Sequence, residues 1–488
     1  MNTYFDFFKM LPEAVLVAVL VILFVADFCS AKQTQRRWLN PLACILMLPA
    51  IVVPVCCMEP VTIFGGMYVT TAAVSVMKTI LAAGTFIVLI QSRAWAAQNK
   101  YEAEFYLLIV STLLGMFVMM SAGHFLMFFL GLEMASVPLA CAVAFDKNRK
   151  ESAEGAAKFI LTATFSSGVM LFGISFIYAA TGTLYFDGVT NALSSLMLGN
   201  TASIEGAQSP ALAIMGLVFF FSGLGFKISL VPFHFWTADT YQGAPTPVTG
   251  YLSVISKGAA ALTLAIILLK VFQPLVMYWE YLLDIVIVLS ITIANLYAIR
   301  QSELKRFMAF SSISQAGYIM LAVLCNGGTG VAALTYYVLV YIVANMAVFT
   351  VINVVEHENG GRTDMEAYNG FYQTNPKLSF LMTLALFSLA GIPPFAGMFS
   401  KFFVFMAAAK QGSFAAYFVV FIALINTVVS LYYYLLIVKA MYITKTDSPL
   451  PTFKSDMNTK VALAVCTAGV ALFGIVSCIY EWIAAAGI

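Results

Sequence analysis

The chain has 488 residues, 61% of them hydrophobic and only 10% charged, with a mean hydropathy of +0.92. Soluble domains carry about 25% charged residues, so these charges cannot cover a water-facing surface, and the same balance excludes disorder. A net charge of +2 gives no electrostatic reason to expect nucleic acid as a partner.

A spanning helix takes about 20 apolar residues. The apolar runs predict fourteen spans, at 11–29, 39–57, 71–90, 105–121, 124–145, 155–180, 210–231, 247–271, 280–299, 307–325, 331–355, 378–409, 415–438 and 461–483. The first lacks the basic, apolar, small pattern of a cleaved signal peptide and reads as a retained helix. The run 378–409 is too long for one straight helix and contains Gly391, Pro393, Pro394 and Gly397, so it reads as one broken span. Span 7 ends in a similar mixture, Gly223, Gly225, Lys227 and Pro232. Two interrupted helices five spans apart suggest two inverted repeats, because an odd number of spans reverses the orientation. The expected fold class is an all-α membrane protein of about fourteen transmembrane helices, with two inverted five-helix repeats and two broken helices. Residues 1–104 would form an N-terminal three-helix segment, 105–271 the first repeat, 280–438 the second, and 439–488 a loop and the last helix.

Basic residues set the orientation. With the N-terminus outside, 17 of the 25 Lys and Arg fall in inner loops, and only Lys9, Lys270 and Lys410 fall outside. Both termini are therefore expected on the outer side. Five lysines fall inside spans: Lys78, Lys158, Lys227, Lys257 and Lys401. Lys78 lies close enough to the outer interface to snorkel there. A charge at the bilayer centre costs about 2.5–3.5 kcal/mol on insertion scales, so the other four need a polar interior and partners. Glu133 is the one carboxylate read at mid-depth; Asp27 and Asp284 lie nearer span ends. These groups fit two readings, a lateral chain that carries protons or a set of fixed salt bridges. The eight cysteines form no C-x-x-C pair, and the three histidines form no i, i+4 ligand pair, so no metal or redox centre is expected.

The motifs resemble those of a known family. Gly131-Leu132-Glu133, Gly225-Phe226-Lys227 running into Val231-Pro232-Phe233-His234-Phe235-Trp236, Asp239-Thr240-Tyr241-Gln242-Gly243-Ala244-Pro245, Leu304-Lys305-Arg306, Ser311-Ser312-Ile313-Ser314 and Gly391-Ile392-Pro393-Pro394 with Lys401 are similar to the antiporter-like membrane subunits of bacterial NADH:quinone oxidoreductase, respiratory complex I. Tyr241-Gln242 favours one branch of that family, since its sisters and the related multisubunit cation/proton antiporters usually read Asp-Ala-His there. The resemblance implies a multi-pass protein of the bacterial inner membrane with periplasmic termini. It also implies membrane-arm neighbours and the lipid bilayer as partners, and no cofactor in this chain, the NADH, quinone and electron-transfer sites lying in other subunits. It makes the chain a proton-translocating part of the enzyme; a subunit of a cation/proton antiporter is the alternative. By position, Glu133 and Lys227 resemble the pair of the first half-channel, Lys257 the central lysine, Lys401 the lysine of the second half-channel, and Lys158 a further family lysine. His234, Gln315 and Lys305 would support a water relay, and Pro232, Pro393 and Pro394 mark the breaks. Gln315 is a departure, because many relatives carry histidine there and an amide holds no transferable proton at neutral pH.

Overall fold

The computed structural model describes residues 7–30, 38–198, 210–325, 327–446, 449–453, 455–476 and 478–486. The helices run α1 (Leu11–Ser30), α2 (Leu39–Cys56), α3 (Ala72–Ala96), α4 (Glu102–Met120), α5 (Phe125–Val143), α6 (Lys150–Thr181), α7 (Phe186–Met197), α8 (Pro210–Ile228) and α9 (Phe235–Gly243). They continue as α10 (Thr246–Val271), α11 (Val276–Ile299), α12 (Leu304–Leu321), α13 (Gly328–Glu358), α14 (Pro376–Ala390), α15 (Ala396–Ala409), α16 (Phe414–Tyr442), α17 (Met457–Ile475) and α18 (Cys478–Ala485). Thirteen spans among the described residues are long and apolar enough to cross a membrane unaided, and the short pair α14–α15 adds the broken fourteenth. The expected last span, 461–483, divides between α17 and α18.

Helices α3, α10, α12 and α13 are buried along most of their length, while α1, α16 and α17 leave most of their surface to the surroundings. A lipid-facing helix needs an apolar exterior, and α16 supplies one with Phe418, Phe421, Leu424, Ile425 and Val428 exposed. Between α2 and α3 the chain makes a small antiparallel hairpin, β1 (Val61–Ile63) and β2 (Tyr68–Thr70), pairing Val61 with Thr70 and Ile63 with Tyr68. The sequence reading did not foresee it, as three-residue strands carry almost no period.

Both expected breaks are present, and several of their freed backbone groups find partners. After α8, Ser229 turns to φ +67°, and the Leu230 N–H donates back to the Gly225 carbonyl at 2.8 Å. The Val231 N–H donates to Ser290 Oγ on α11 at 2.9 Å, and Trp236 Nε1 donates to the Phe226 carbonyl at 3.2 Å. Pro232 has no N–H to satisfy. After α14, Gly391 takes φ +90°, where a side chain would be strained, and its N–H reaches the Phe387 and Ser388 carbonyls at 3.0 Å. Pro393 and Pro394 follow, and the Gly397 N–H donates to Ser388 Oγ at 3.2 Å. No hydrocarbon-exposed strand edge is needed at either break.

Candidate proton-transfer line

Glu133 is positioned by a close helix crossing. A Cβ on Gly131 of α5 would collide with the backbone nitrogen of Met119 on α4, and one on Gly115 with the backbone of Ala135. The small residues bring the two backbones together. Glu133 is half-buried, and its Oε1 is enclosed with no partner among the described residues. Lys227, at the end of α8, is buried and donates to Ser136 Oγ at 2.7 Å; Ser136 lies three residues beyond Glu133 and donates to the Leu132 carbonyl. Lys227 Nζ also lies 5.8 Å from the Phe159 ring centre. Glu133 and Lys227 thus interact through space rather than as a direct ion pair, with the Ser136 hydroxyl holding the ammonium.

His234 opens α9 just past the break, buried, with Nδ1 unpartnered among the described residues and close enough to feel the Lys257 charge. Lys257 follows a π-helical turn, Leu252–Ser256, in the middle of α10. Its Nζ donates to Ser312 Oγ on α12 at 2.6 Å and sits 5.4 Å from the Tyr241 ring centre. Ser312 passes the contact on to the Ser253 carbonyl at 3.3 Å.

Lys401, on α15, donates to the Ala390 carbonyl freed by the second break, at 2.9 Å, and lies 5.0 Å from the Tyr318 ring centre. It lines a cavity of about 10 Å³ with Gln315, Tyr337, Tyr341, Ser388 and Ser400. That is about the space one water molecule needs, and the lining is polar enough to hold it. Gln315 is fixed on both sides. Its Oε1 accepts from the Tyr337 hydroxyl, and its Nε2 donates to the Leu389 carbonyl and to the Tyr434 hydroxyl, each at 3.2 Å. Tyr434 in turn shares a 2.5 Å hydrogen bond with Ser311, the neighbour of Ser312. Polar contacts thus join α5 to α8 at Ser136–Lys227, α10 to α12 at Lys257–Ser312 and α12 to α14 at Gln315–Leu389, with Lys401 of α15 lining the same cavity as Gln315.

Two of the expected residues lie elsewhere. Lys158 is 43% exposed and ion-paired at 2.6 Å to both Glu154 and Asp239, the latter also bound by Arg306 at 2.6 Å. Lys305 is buried but donates to Glu356 at 3.2 Å and to the Ala244 carbonyl at 2.9 Å; Arg149 and the Thr246 hydroxyl also bind Glu356. Lys78 does not reach the interface. It is fully buried and ion-paired to Glu13 at 2.6 Å. The sequence reading missed Ser136, Tyr337, Tyr341 and Tyr434, because serine and tyrosine in an apolar span read as ordinary packing.

The family described as NADH:quinone oxidoreductase/Mrp antiporter, TM, matches residues 122–430. NADH-quinone oxidoreductase subunit N of Phocaeicola vulgatus is 56% identical over 96% of each chain, and that of Azobacteroides pseudotrichonymphae 46% identical over 96% of each. A chain of the Thermus thermophilus respiratory complex I with bound aureothin is 27% identical, with a TM-score of 0.80, over 98% of this chain and 100% of that one. A chain of the Mrp complex from Dietzia sp. shares the fold at a TM-score of 0.83 and 18% identity, over 98% of this chain and 97% of that one. The branch favoured by Tyr241-Gln242 is the one to which the Phocaeicola and Azobacteroides relatives belong. The chain belongs to the NADH:quinone oxidoreductase/Mrp antiporter family and, within it, to the NADH-quinone oxidoreductase subunit N group.

Proposed function

We propose that the chain works in the membrane arm of a bacterial proton-pumping NADH:quinone oxidoreductase, and that protons move along the line from Glu133 through Lys227 and Lys257 to Lys401. One observation carries the assignment of residues. Among the described residues, Lys227, Lys257 and Lys401 donate only to neutral oxygens, those of Ser136, Ser312 and Ala390. Lys78, Lys158 and Lys305 each hold a carboxylate. A carboxylate contact fixes the charged form of a lysine, whereas a hydroxyl or carbonyl in an apolar bundle supports it weakly. The first three are therefore able to lose and regain a proton as a neighbouring charge changes, and the other three hold the bundle together. His234 and the Gln315 cavity supply polar steps on either side of Lys257.

No redox chemistry is needed within this chain. It converts a charge signal from neighbouring subunits into proton movement against a membrane potential, at about 2.3 kcal/mol per charge per 100 mV. In this reading the termini are periplasmic, and spans 105–271 and 280–438 are the two inverted repeats, with a broken helix in each. The test is proton pumping and NADH oxidation in reconstituted complex carrying Lys227→Ala. Pumping is expected to be lost or strongly reduced. Wild-type pumping would return Lys227 to a structural role.

A further inference from the structure

The contacts above leave a gap between Lys257 and Lys401. Lys257 reaches Ser312, and Lys401 shares a cavity with Gln315, yet no side-chain hydrogen bond among the described residues joins Ser312 to that cavity. Tyr341 of α13 stands in the gap. It is buried, it lines the Lys401 cavity, and its hydroxyl has no hydrogen-bond partner among the described residues. That hydroxyl lies beside the Ser312 side chain and within electrostatic reach of the Tyr241 and Tyr434 hydroxyls. One turn further along α13, Asn345 donates to Ser253 Oγ and leaves its own Oδ1 unpartnered. Ser253 is also the residue whose carbonyl accepts from Ser312.

Packing alone does not account for Tyr341. A buried hydroxyl without a partner costs about 1–3 kcal/mol, and phenylalanine fills the same space without that cost. The neighbouring tyrosines differ: Tyr337 donates to Gln315, and Tyr434 is bonded to both Ser311 and Gln315. The cavity has room for one water, which needs about two to four polar partners. Lys401, Ser400 and Tyr341 are available around it.

We propose that the Tyr341 hydroxyl, with one water in the cavity, is the relay between Lys257 and Lys401. The Lys257 ammonium gives a proton to the Ser312 oxygen as the Ser312 hydroxyl proton moves on to the Tyr341 oxygen. The Tyr341 proton passes to the water, and a proton of that water passes to the neutral amine of Lys401. Each oxygen gains one proton and loses one. Lys257 ends as an amine and Lys401 as an ammonium, and no tyrosinate forms. A hydroxyl suits the step because it donates and accepts at one atom. Rotation of the two hydroxyls resets the path, and neither is tightly held: Ser312 bonds the Ser253 carbonyl at a long 3.3 Å, and Tyr341 bonds nothing. The proposal deepens the proton-carrying reading of the lysine line and rests on it.

The test uses the whole reconstituted complex carrying Tyr341→Phe, Tyr336→Phe or Lys401→Ala, with protons pumped per NADH oxidised and the amount of assembled complex both measured. Tyr336 lies on the same helix, and its hydroxyl donates to the Phe473 carbonyl at 2.6 Å, away from the cavity. Tyr341→Phe removes a hydroxyl that bonds nothing, so it should assemble at the wild-type level while its pumping ratio falls to that of Lys401→Ala. Tyr336→Phe removes a bonded hydroxyl, so it should assemble less well and keep the wild-type ratio. A wild-type ratio in Tyr341→Phe beside a low one in Lys401→Ala would overturn the relay and leave the lysine line standing. Failure of Tyr341→Phe to assemble would also overturn it, since the hydroxyl would then be structural. A wild-type ratio in both variants would overturn the relay together with the line it serves.

Discussion

At the scale of single residues, the membrane-embedded lysines look alike in sequence and differ in what they touch. Lys158 and Lys257 both fall inside apolar runs, yet one is bound by Asp239, 81 positions away, and the other by the Ser312 hydroxyl. Asp239 and Ser312 leave no local signature, and although Glu154 stands four residues before Lys158, the cost of a buried charge alone marked the positions without sorting them by partner. The second half of the line offers a sharp discrimination. Gln315 cannot titrate, and its amide is held by Tyr337, Tyr434 and the Leu389 carbonyl. Lys401 is then the fixed protonatable group of its cavity nearest the break. Lys401→Arg is expected to abolish coupled pumping, because arginine stays protonated at any accessible pH. Lys401→Ala should do the same, and more severely than Gln315→Ala. Gln315→His should be tolerated, since a neutral imidazole still accepts one hydrogen bond and donates another. Pumping and NADH oxidation measured together in the four variants decide the matter; full pumping in Lys401→Arg would show that the proton bypasses this cavity.

At the scale of elements, the breaks were legible because proline and glycine act locally, removing a donor or permitting φ +90° at Gly391. The π-helical turn before Lys257 was not, because Leu252–Ser256 contains neither residue; the turn packs among α3, α12 and α13. Such turns recur at functional positions, and here one re-aims α10 just where Lys257 must reach Ser312. The crossing of α4 and α5 was likewise hidden. Gly131 drew notice only beside Glu133, and nothing in the sequence shows that its missing Cβ faces Met119. Since the obstructing atoms are backbone, they cannot rotate away. Gly131→Val should therefore force α5 off α4, at a cost of about 1–3 kcal/mol or more for overpacking, and sharply lower the amount of assembled complex in membranes. Gly168→Ala on α6, where a Cβ would meet nothing within 4 Å, is the control and should assemble normally. Equal assembly of both variants would show that the crossing is looser than its geometry.

At the scale of the whole molecule, the ion pairs and the basic loops tell one story about orientation. The clusters Arg149–Glu356–Lys305 and Lys158–Asp239–Arg306 draw their cations from residues at or near the helix ends that the Lys and Arg count places inside. They join α6 to α12 and α13, linking the first half of the chain to the second on that face. The opposite face holds the hairpin, α7 and the large cavity, whose lining includes a single lysine, Lys270. Charge that cannot be moved across a membrane during insertion thus doubles as the clamp between halves. If each of the thirteen candidate spans among the described residues crosses, and the broken α14–α15 pair makes one more crossing, the count is even and both ends share a face. The expected outcome follows directly. A periplasm-dependent phosphatase fused after Ile488 should be active, and a fluorescent reporter that matures only in the cytoplasm should stay dark there. The same reporters inserted in the 359–362 turn, between α13 and α14, should give the reverse pattern. A bright cytoplasmic reporter at the C-terminus would mean either that both ends lie inside or that the number of crossings is odd.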